Sequence, residues 1–171
     1  FSCGSAAAVR DLAYDGTYFY GGAASTTVFE MDFDSQTLVG TITAPLATRA
    51  IAYDAGEDGF WSNNWSDNPT LWDRTGATLN SITVEPDLSF YGFAYMDNNL
   101  GTALWGNSQT GNMNTLKKYD LPGGTWVEDF DVTTLLSLPI PGTDIAGGLY
   151  MHPNIVTGYW TLGGIVQNFC L

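Results

Sequence analysis

Short runs of β-branched and aromatic residues follow one another along the whole chain, separated by turn dipeptides. Val28-Phe29-Glu30-Met31-Asp32-Phe33 alternates apolar and polar positions with period two, which is the pattern of a half-buried strand. Asp15-Gly16, Asp58-Gly59, Thr75-Gly76 and Pro122-Gly123 punctuate the runs. Aspartate serves there because its side chain bonds its own backbone, and glycine because it accepts a positive φ. No stretch of ten or more residues carries a clean period of 3.6, so helix is expected to be minimal.

The runs repeat. Leu12-Ala13-Tyr14-Asp15-Gly16, Ile51-Ala52-Tyr53-Asp54-Ala55-Gly56 and Phe93-Ala94-Tyr95-Met96-Asp97-Asn98 open three units, and Gly148-Leu149-Tyr150-Met151-His152-Pro153 a weaker fourth. The steps between tyrosines 14, 53, 95 and 150 are 39, 42 and 55 residues. An aromatic element follows each tyrosine: Tyr18-Phe19-Tyr20-Gly21-Gly22, Phe60-Trp61-Ser62, Leu104-Trp105-Gly106 and Gly158-Tyr159-Trp160. In the first three units come two more strand-like runs, such as Thr70-Leu71-Trp72-Asp73 and Leu79-Asn80-Ser81-Ile82-Thr83. Four short strands per roughly 40–45 residues is the period of a β-propeller blade. The fold expected is therefore all-β, a β-propeller-type repeat of about four four-stranded blades, with units near residues 9–45, 46–87, 88–138 and 139–171. Other all-β repeat folds are the alternative. Ala13, Ala52, Ala94 and Gly147 are small enough to crowd a central axis, and Tyr14, Tyr53 and Tyr95 are expected between neighbouring blades.

Charge narrows the functional classes. The 171 residues hold 18 Asp and Glu against 5 Lys and Arg, a net charge of −13. The cations are Arg10, Arg49, Arg74, Lys117 and Lys118, too few for the basic face that nucleic-acid binding needs. An anionic membrane surface is disfavoured in the same way, and no apolar run is long enough for a spanning helix. The two cysteines, Cys3 and Cys170, sit at opposite ends. Domain termini often lie close together, so a Cys3–Cys170 disulfide latching a ring is one expectation, and two unrelated thiols the other. The fourth unit is short. Either residues 1–9 complete it, or the chain is a piece of a longer or self-associating propeller. Unfinished blades leave strand edges that invite association, hence a homo-oligomer or fibre as a candidate state.

Catalytic chemistry is thinly represented. His152 is the single histidine, there is no Gly-x-Ser-x-Gly elbow, and one His with two distant Cys cannot hold zinc. The acid pairs Asp32/Asp34, Asp129/Asp131 and Glu57/Asp58 read as hydrated surface before they read as glycosidase carboxylates. No cofactor is expected; the recurring Asp15, Asp54 and Asp97 are the calcium candidates, as hard oxygen ligands at one end of the channel. The candidate binding segment is Phe60-Trp61-Ser62-Asn63-Asn64-Trp65-Ser66-Asp67-Asn68. Recurrence marks Trp61, Trp105 and Trp160 as core. Trp65 breaks the repeat and lies among polar residues, so Trp65, Asn63, Asn64 and Asp67 form the candidate ligand set, a ring to stack on and amides to bond hydroxyls. Asn64-Trp65-Ser66 also fits an N-glycosylation acceptor.

The run Val9-Arg10-Asp11-Leu12-Ala13-Tyr14-Asp15-Gly16-Thr17-Tyr18-Phe19-Tyr20-Gly21-Gly22 resembles the repeat of secreted propeller-like proteins of Bacteroidota. So do residues 49–54 and 59–65, and the closing Ala146-Gly147-Gly148-Leu149 and Leu162-Gly163-Gly164-Ile165-Val166-Gln167. The resemblance covers almost the whole chain. It implies cargo of the type IX secretion route, an extracellular or cell-surface location, and a fold more than an activity. Such relatives are usually longer, with an N-terminal leader and a C-terminal sorting domain. A fainter similarity is to streptogramin lyase-like and NHL propellers, which would want a catalytic histidine; only His152 is available. The function expected is a non-enzymatic binding or assembly module for a glycan or protein partner. The alternatives are a self-associating surface subunit and, less favoured, a secreted lyase or glycosidase.

Overall fold

The computed structural model describes residues 3–99, 101–110, 113–132 and 145–167. Every element bounded within them is a β-strand. The first sheet holds β1 (Ala13–Tyr14), β2 (Phe19–Gly22), β3 (Ser25–Asp32) and β4 (Thr37–Thr48), in that order. The second holds β5 (Ala50–Asp54), β6 (Gly59–Asn63), β7 (Thr70–Asp73) and β8 (Thr78–Ser81). The third holds β9 (Phe90–Asn98), β10 (Gly101–Thr110), β11 (Met113–Leu121) and β12 (Trp126–Asp131). The fourth pairs β13 (Ile145–Val156) with β14 (Tyr159–Gln167). Each sheet is an antiparallel meander, so the four-stranded unit read from the repeat is the unit of the fold. The first blade runs on through residue 45 to Thr48, and the fourth shows two strands among the described residues.

The blades meet through aromatic layers. Between the first and second blades lie Ala13, Tyr20, Val28, Ile51, Phe60 and Trp72. Between the second and third lie Ala52, Trp61, Leu71, Phe90, Phe93 and Leu104. Phe60 and Trp72 are fully buried with ring centroids 4.9 Å apart. Burial of each such side chain contributes about 1.5–3 kcal/mol, which makes these layers the main source of blade cohesion. Small inner-strand residues let the layers close: Ala13, Ala52 and Ala94 are all buried. At Gly92 a Cβ would lie 2.6 Å from the Gly147 carbonyl oxygen, so only glycine allows β9 and β13 to approach this closely.

Three sequence expectations need correction. Tyr14, Tyr53 and Tyr95 do not sit wholly between blades; all three face a central cavity, with Tyr53 and Tyr95 also leaning on the aromatic layers. Trp160 is 40% exposed rather than core, because no further described strand packs over β14. Trp61 is buried as expected, whereas Trp105 is half-buried against Phe130.

One side chain ties the inner strands together. Asp11, just before β1, is 5% exposed. Its Oδ2 accepts the backbone N–H of Ile51 at 2.9 Å and of Phe93 at 2.8 Å, and its Oδ1 accepts that of Leu149 at 3.2 Å. These donors belong to β5, β9 and β13, so one carboxylate from the first blade engages the other three. Burial pushes the Asp11 carboxyl up to about 7, against the pull of the backbone N–H groups.

Asp11→Asn keeps the size but turns an amide NH2 toward backbone donors. Chemical denaturation is expected to show a loss of about 2–4 kcal/mol, the cost of buried donors left unmatched. The pH dependence has a definite sign. The folded form holds the Asp11 proton to a higher pH than the unfolded chain, so native stability declines from about pH 4 to about pH 7. The asparagine variant has no proton to lose there, and the gap between the two proteins is expected to narrow over that window. A gap that widens with pH, or an Asp11→Asn protein as stable as the native one, contradicts this role.

Candidate ligand-binding site

The inner strands surround a cavity of about 850 Å3. All four repeat tyrosines, Tyr14, Tyr53, Tyr95 and Tyr150, face it, together with Phe19 and Phe33. Tyr14, Phe19 and Phe33 form a continuous stack, with centroid spacings of 4.5 and 4.1 Å. Tyr14 and Tyr150 are each 51% exposed, so the rim is open to solvent. His152 lies on β13 opposite Thr161 and belongs to the same wall.

The tyrosine hydroxyls are largely committed to the protein. Tyr14 donates to the Gly16 carbonyl at 2.7 Å, and Tyr53 to Asp58 Oδ1 at 2.8 Å. Asp58 is held in turn by Arg74, whose guanidinium also reaches Asp15 at 2.9 Å and the Tyr20 hydroxyl at 2.7 Å. Arg74 follows β7 of the second blade and Asp15 follows β1 of the first, so this network clamps two blades and fixes the Tyr53 ring. Hydrogen bonds from Arg74 and Tyr53 hold the Asp58 carboxyl below its usual range, while burial and Asp58 raise the Tyr53 hydroxyl. The cavity is thus a preformed, aromatic and apolar recess with few free polar groups.

The structure separates the sequence candidates. Asn63 is fully buried, and its Nδ2 donates to the carbonyls of Trp65 at 2.7 Å and Asp67 at 3.1 Å. It shapes the loop rather than facing solvent. Asn107 stands at the equivalent place in the third blade and forks the same way, to the carbonyls of Gly147 and Ile165. Asp67 is exposed. Trp65 is 47% exposed with φ of +54°, and its carbonyl accepts the Phe90 N–H at 3.0 Å, which docks the loop on the third blade. One residue was missed in the sequence: Arg49, whose guanidinium lies 4.5 Å from the Trp65 ring centre and 5.5 Å from that of Tyr91. Its Nε reaches Asn64 Oδ1 at 3.5 Å. The available signal was an arginine four residues before the repeat tyrosine, in two units, as Arg10 and Arg49.

The calcium candidates are not gathered. No group of three or more His, Cys, Asp or Glu side chains suited to a metal ion occurs among the described residues. Asp15 Oδ1 accepts the N–H groups of Thr17 and Tyr18 and its Oδ2 binds Arg74. Asp54 accepts from Gly56, Glu57 and the Trp61 indole. Asp97 is exposed on β9. Of the acid pairs, Asp32 accepts the N–H groups of Asp34 and Ser35 in a turn. Hydrogen bonding from the Ser35 side chain, then from its backbone N–H, holds the Asp32 carboxyl below its usual range. Cys3 is a buried free thiol against the Asp32 carbonyl; Cys170 lies outside the described residues, so the latch is not part of the described structure.

No family model matches the sequence, and no curated protein matches it significantly. Solved structures do match. The glutaminyl cyclase of Myxococcus xanthus superposes with a TM-score of 0.67 at 15% identity, over 90% of this chain and 66% of that one. The WD40 repeats of RRP9 superpose at 0.51 and 12% identity, and U3-55K at 0.50 and 11%, each over 85% of this chain and 43% of the other. The chain therefore spans about two thirds or less of the length of these structures. At such identities the likeness is one of fold, and the fold is a β-propeller.

Because the Asp15 and Asp54 carboxylates are saturated by N–H donors, calcium is expected to change the melting temperature no more than magnesium at equal ionic strength. A saturating rise specific to calcium, removed by chelator, would contradict that arrangement.

Proposed function

We propose that the chain is a β-propeller binding module that receives an apolar or aromatic side chain of a protein partner in the tyrosine-lined cavity. The observation that carries this reading is the convergence of all four repeat tyrosines on one preformed recess. The chemistry of the wall favours a peptide over a glycan there. Sugar hydroxyls need free donors and acceptors, and the Tyr14 and Tyr53 hydroxyls are already engaged. An extracellular or cell-surface setting accords with the acidic composition and with the resemblance to secreted Bacteroidota propellers.

The likeness to a glutaminyl cyclase raises an enzymatic alternative, and Asp11, in the cavity wall with a raised pKa, is the acid such a reading would use. Its oxygens, however, face backbone N–H groups of three strands, which suits a structural tie better than a base. A second reading, self-association, is favoured by one feature. Among the described residues, the β13–β14 sheet exposes Ile155, Val156, Tyr159 and Ile165, each above 50%, and shows two strands where the other blades show four. Native mass at falling protein concentration tests it, and a persistent monomer removes it.

The cavity reading is tested by selecting displayed peptides on the protein and measuring them by calorimetry. Tyr14→Ala and Tyr150→Ala are expected to weaken selected peptides by several-fold to about tenfold each, the scale of one aromatic contact, with the fold retained. Peptides that bind both variants as tightly as the native chain overturn it.

A further inference from the structure

Trp65 stands in the loop between β6 and β7 with φ of +54°, a conformation that a bulky residue rarely adopts. Glycine would sit there without strain, so the loop spends stability to place an indole at this point. The backbone is fixed on two sides: the Trp65 carbonyl accepts the Phe90 N–H at 3.0 Å and the Asn63 amide at 2.7 Å. The Arg49 guanidinium lies over the indole, 4.5 Å from the ring centre, and the Tyr91 ring centre is 6.4 Å away. Arg49 is also 5.5 Å from the Tyr91 ring centre. Three distances so alike close a compact triangle, so both neighbours lie toward one side of the indole. The exposed 47% of Trp65 is therefore chiefly the other face, a flat plate held in place and open to solvent. The side chains that follow it are polar. Ser66 and Asp67 share its turn, which the Asp67 N–H closes on the Asn64 carbonyl at 3.1 Å, and both are exposed. Elsewhere in the second blade Asp54, Asp58 and Asp73 accept bonds from their own turns, from Tyr53 or from Arg74. The Asp67 carboxylate accepts none among the described residues.

We infer that Trp65, Ser66 and Asp67 form a second binding site, for a neutral pyranose residue of a glycan. The site stands apart from the tyrosine cavity, which none of the three residues lines. An indole face and the C–H face of a sugar ring are both flat and apolar, and stacking removes both from water. A carboxylate with both oxygens uncommitted accepts from two adjacent sugar hydroxyls, each a charge-assisted bond. An apolar peptide side chain would use the plate and leave that carboxylate unanswered. An acidic sugar is repelled by Asp67 and by a chain of net charge −13.

One stacking contact is weak, so the test applies streptavidin tetramers of the biotinylated chain to an array of neutral glycans, acidic glycans and proline-rich peptides. Retention on at least one neutral glycan is expected, with Trp65→Ala lowering it about tenfold or more and Asp67→Asn several-fold. That glycan, titrated into labelled monomer and followed by NMR, is expected to shift the Trp65 indole N–H signal saturably and to leave the Tyr14 and Tyr150 ring signals in place. The Phe90 amide signal shows whether the loop stays docked in each variant. Where Trp65→Ala unsettles that signal, Asp67→Asn carries the test, since the exposed Asp67 side chain has no bond of its own to lose. Retention on no neutral glycan, retention on acidic glycans or proline-rich peptides instead, or binding that survives Trp65→Ala or Asp67→Asn unchanged overturns the site. A glycan that moves Tyr14 and Tyr150 but not Trp65 also overturns it, and puts the sugar in the cavity. Displayed peptides that ignore Tyr14 and Tyr150 remove the cavity reading and leave this one standing.

Discussion

The arrangement of the inner strands depends on one buried carboxylate. Propeller blades are independent meanders, and apolar layers alone let them slide, because hydrophobic contact is not directional. Asp11 supplies direction. It takes backbone donors from β5, β9 and β13 at 2.8–3.2 Å, from chain positions 40, 82 and 138 residues away. Each of those N–H groups lies on the axial edge of an inner strand, where no neighbouring strand of its own sheet can satisfy it. A buried donor without a partner costs about 1–3 kcal/mol, so the carboxylate answers several such costs at once. The glycine at 92, with room for no Cβ against β13, keeps the strands near enough for this to work.

The same convergence makes the cavity. Strands pinned at one level project equivalent residues at the next, so four tyrosines from four units arrive around one recess. The Arg74 clamp onto Asp15, Asp58 and Tyr20 then sets the first two blades, and with them the Tyr53 ring. In the function proposed above, recognition draws on rings already held in place, and little ordering remains to be done when a ligand arrives.

The blade was legible in the sequence because its signals are local. Period-two alternation, Asp-Gly turns and the tyrosine-to-aromatic spacing all act within about 40 residues, and they yielded the four-stranded unit. The Asp11 tie was not legible. Nothing in Val9-Arg10-Asp11-Leu12 distinguishes an acid that will be buried from one that stays hydrated; the difference is made by donors in three other units. Trp65 was legible as a residue out of pattern, yet its partner Arg49 lies in the bend between β4 and β5 and Tyr91 on the next blade, so their contact exists only after the blades meet. Asn63 read as a ligand amide and serves as a loop brace, because the same amide donors that suit hydroxyls also suit the carbonyls of Trp65 and Asp67. Trp160 read as core by recurrence, but recurrence predicts burial only where another strand lies over the ring, and none of the described strands packs over β14.

The most direct measurement is a pH titration of the backbone amide signals of Ile51, Phe93 and Leu149 by NMR. If Asp11 joins them, the three signals move together with a single shared midpoint near 7, the value to which burial pushes its carboxyl. Three amides that titrate at different midpoints, or that do not move between about pH 4 and about pH 8, would show that no common carboxylate holds the inner strands.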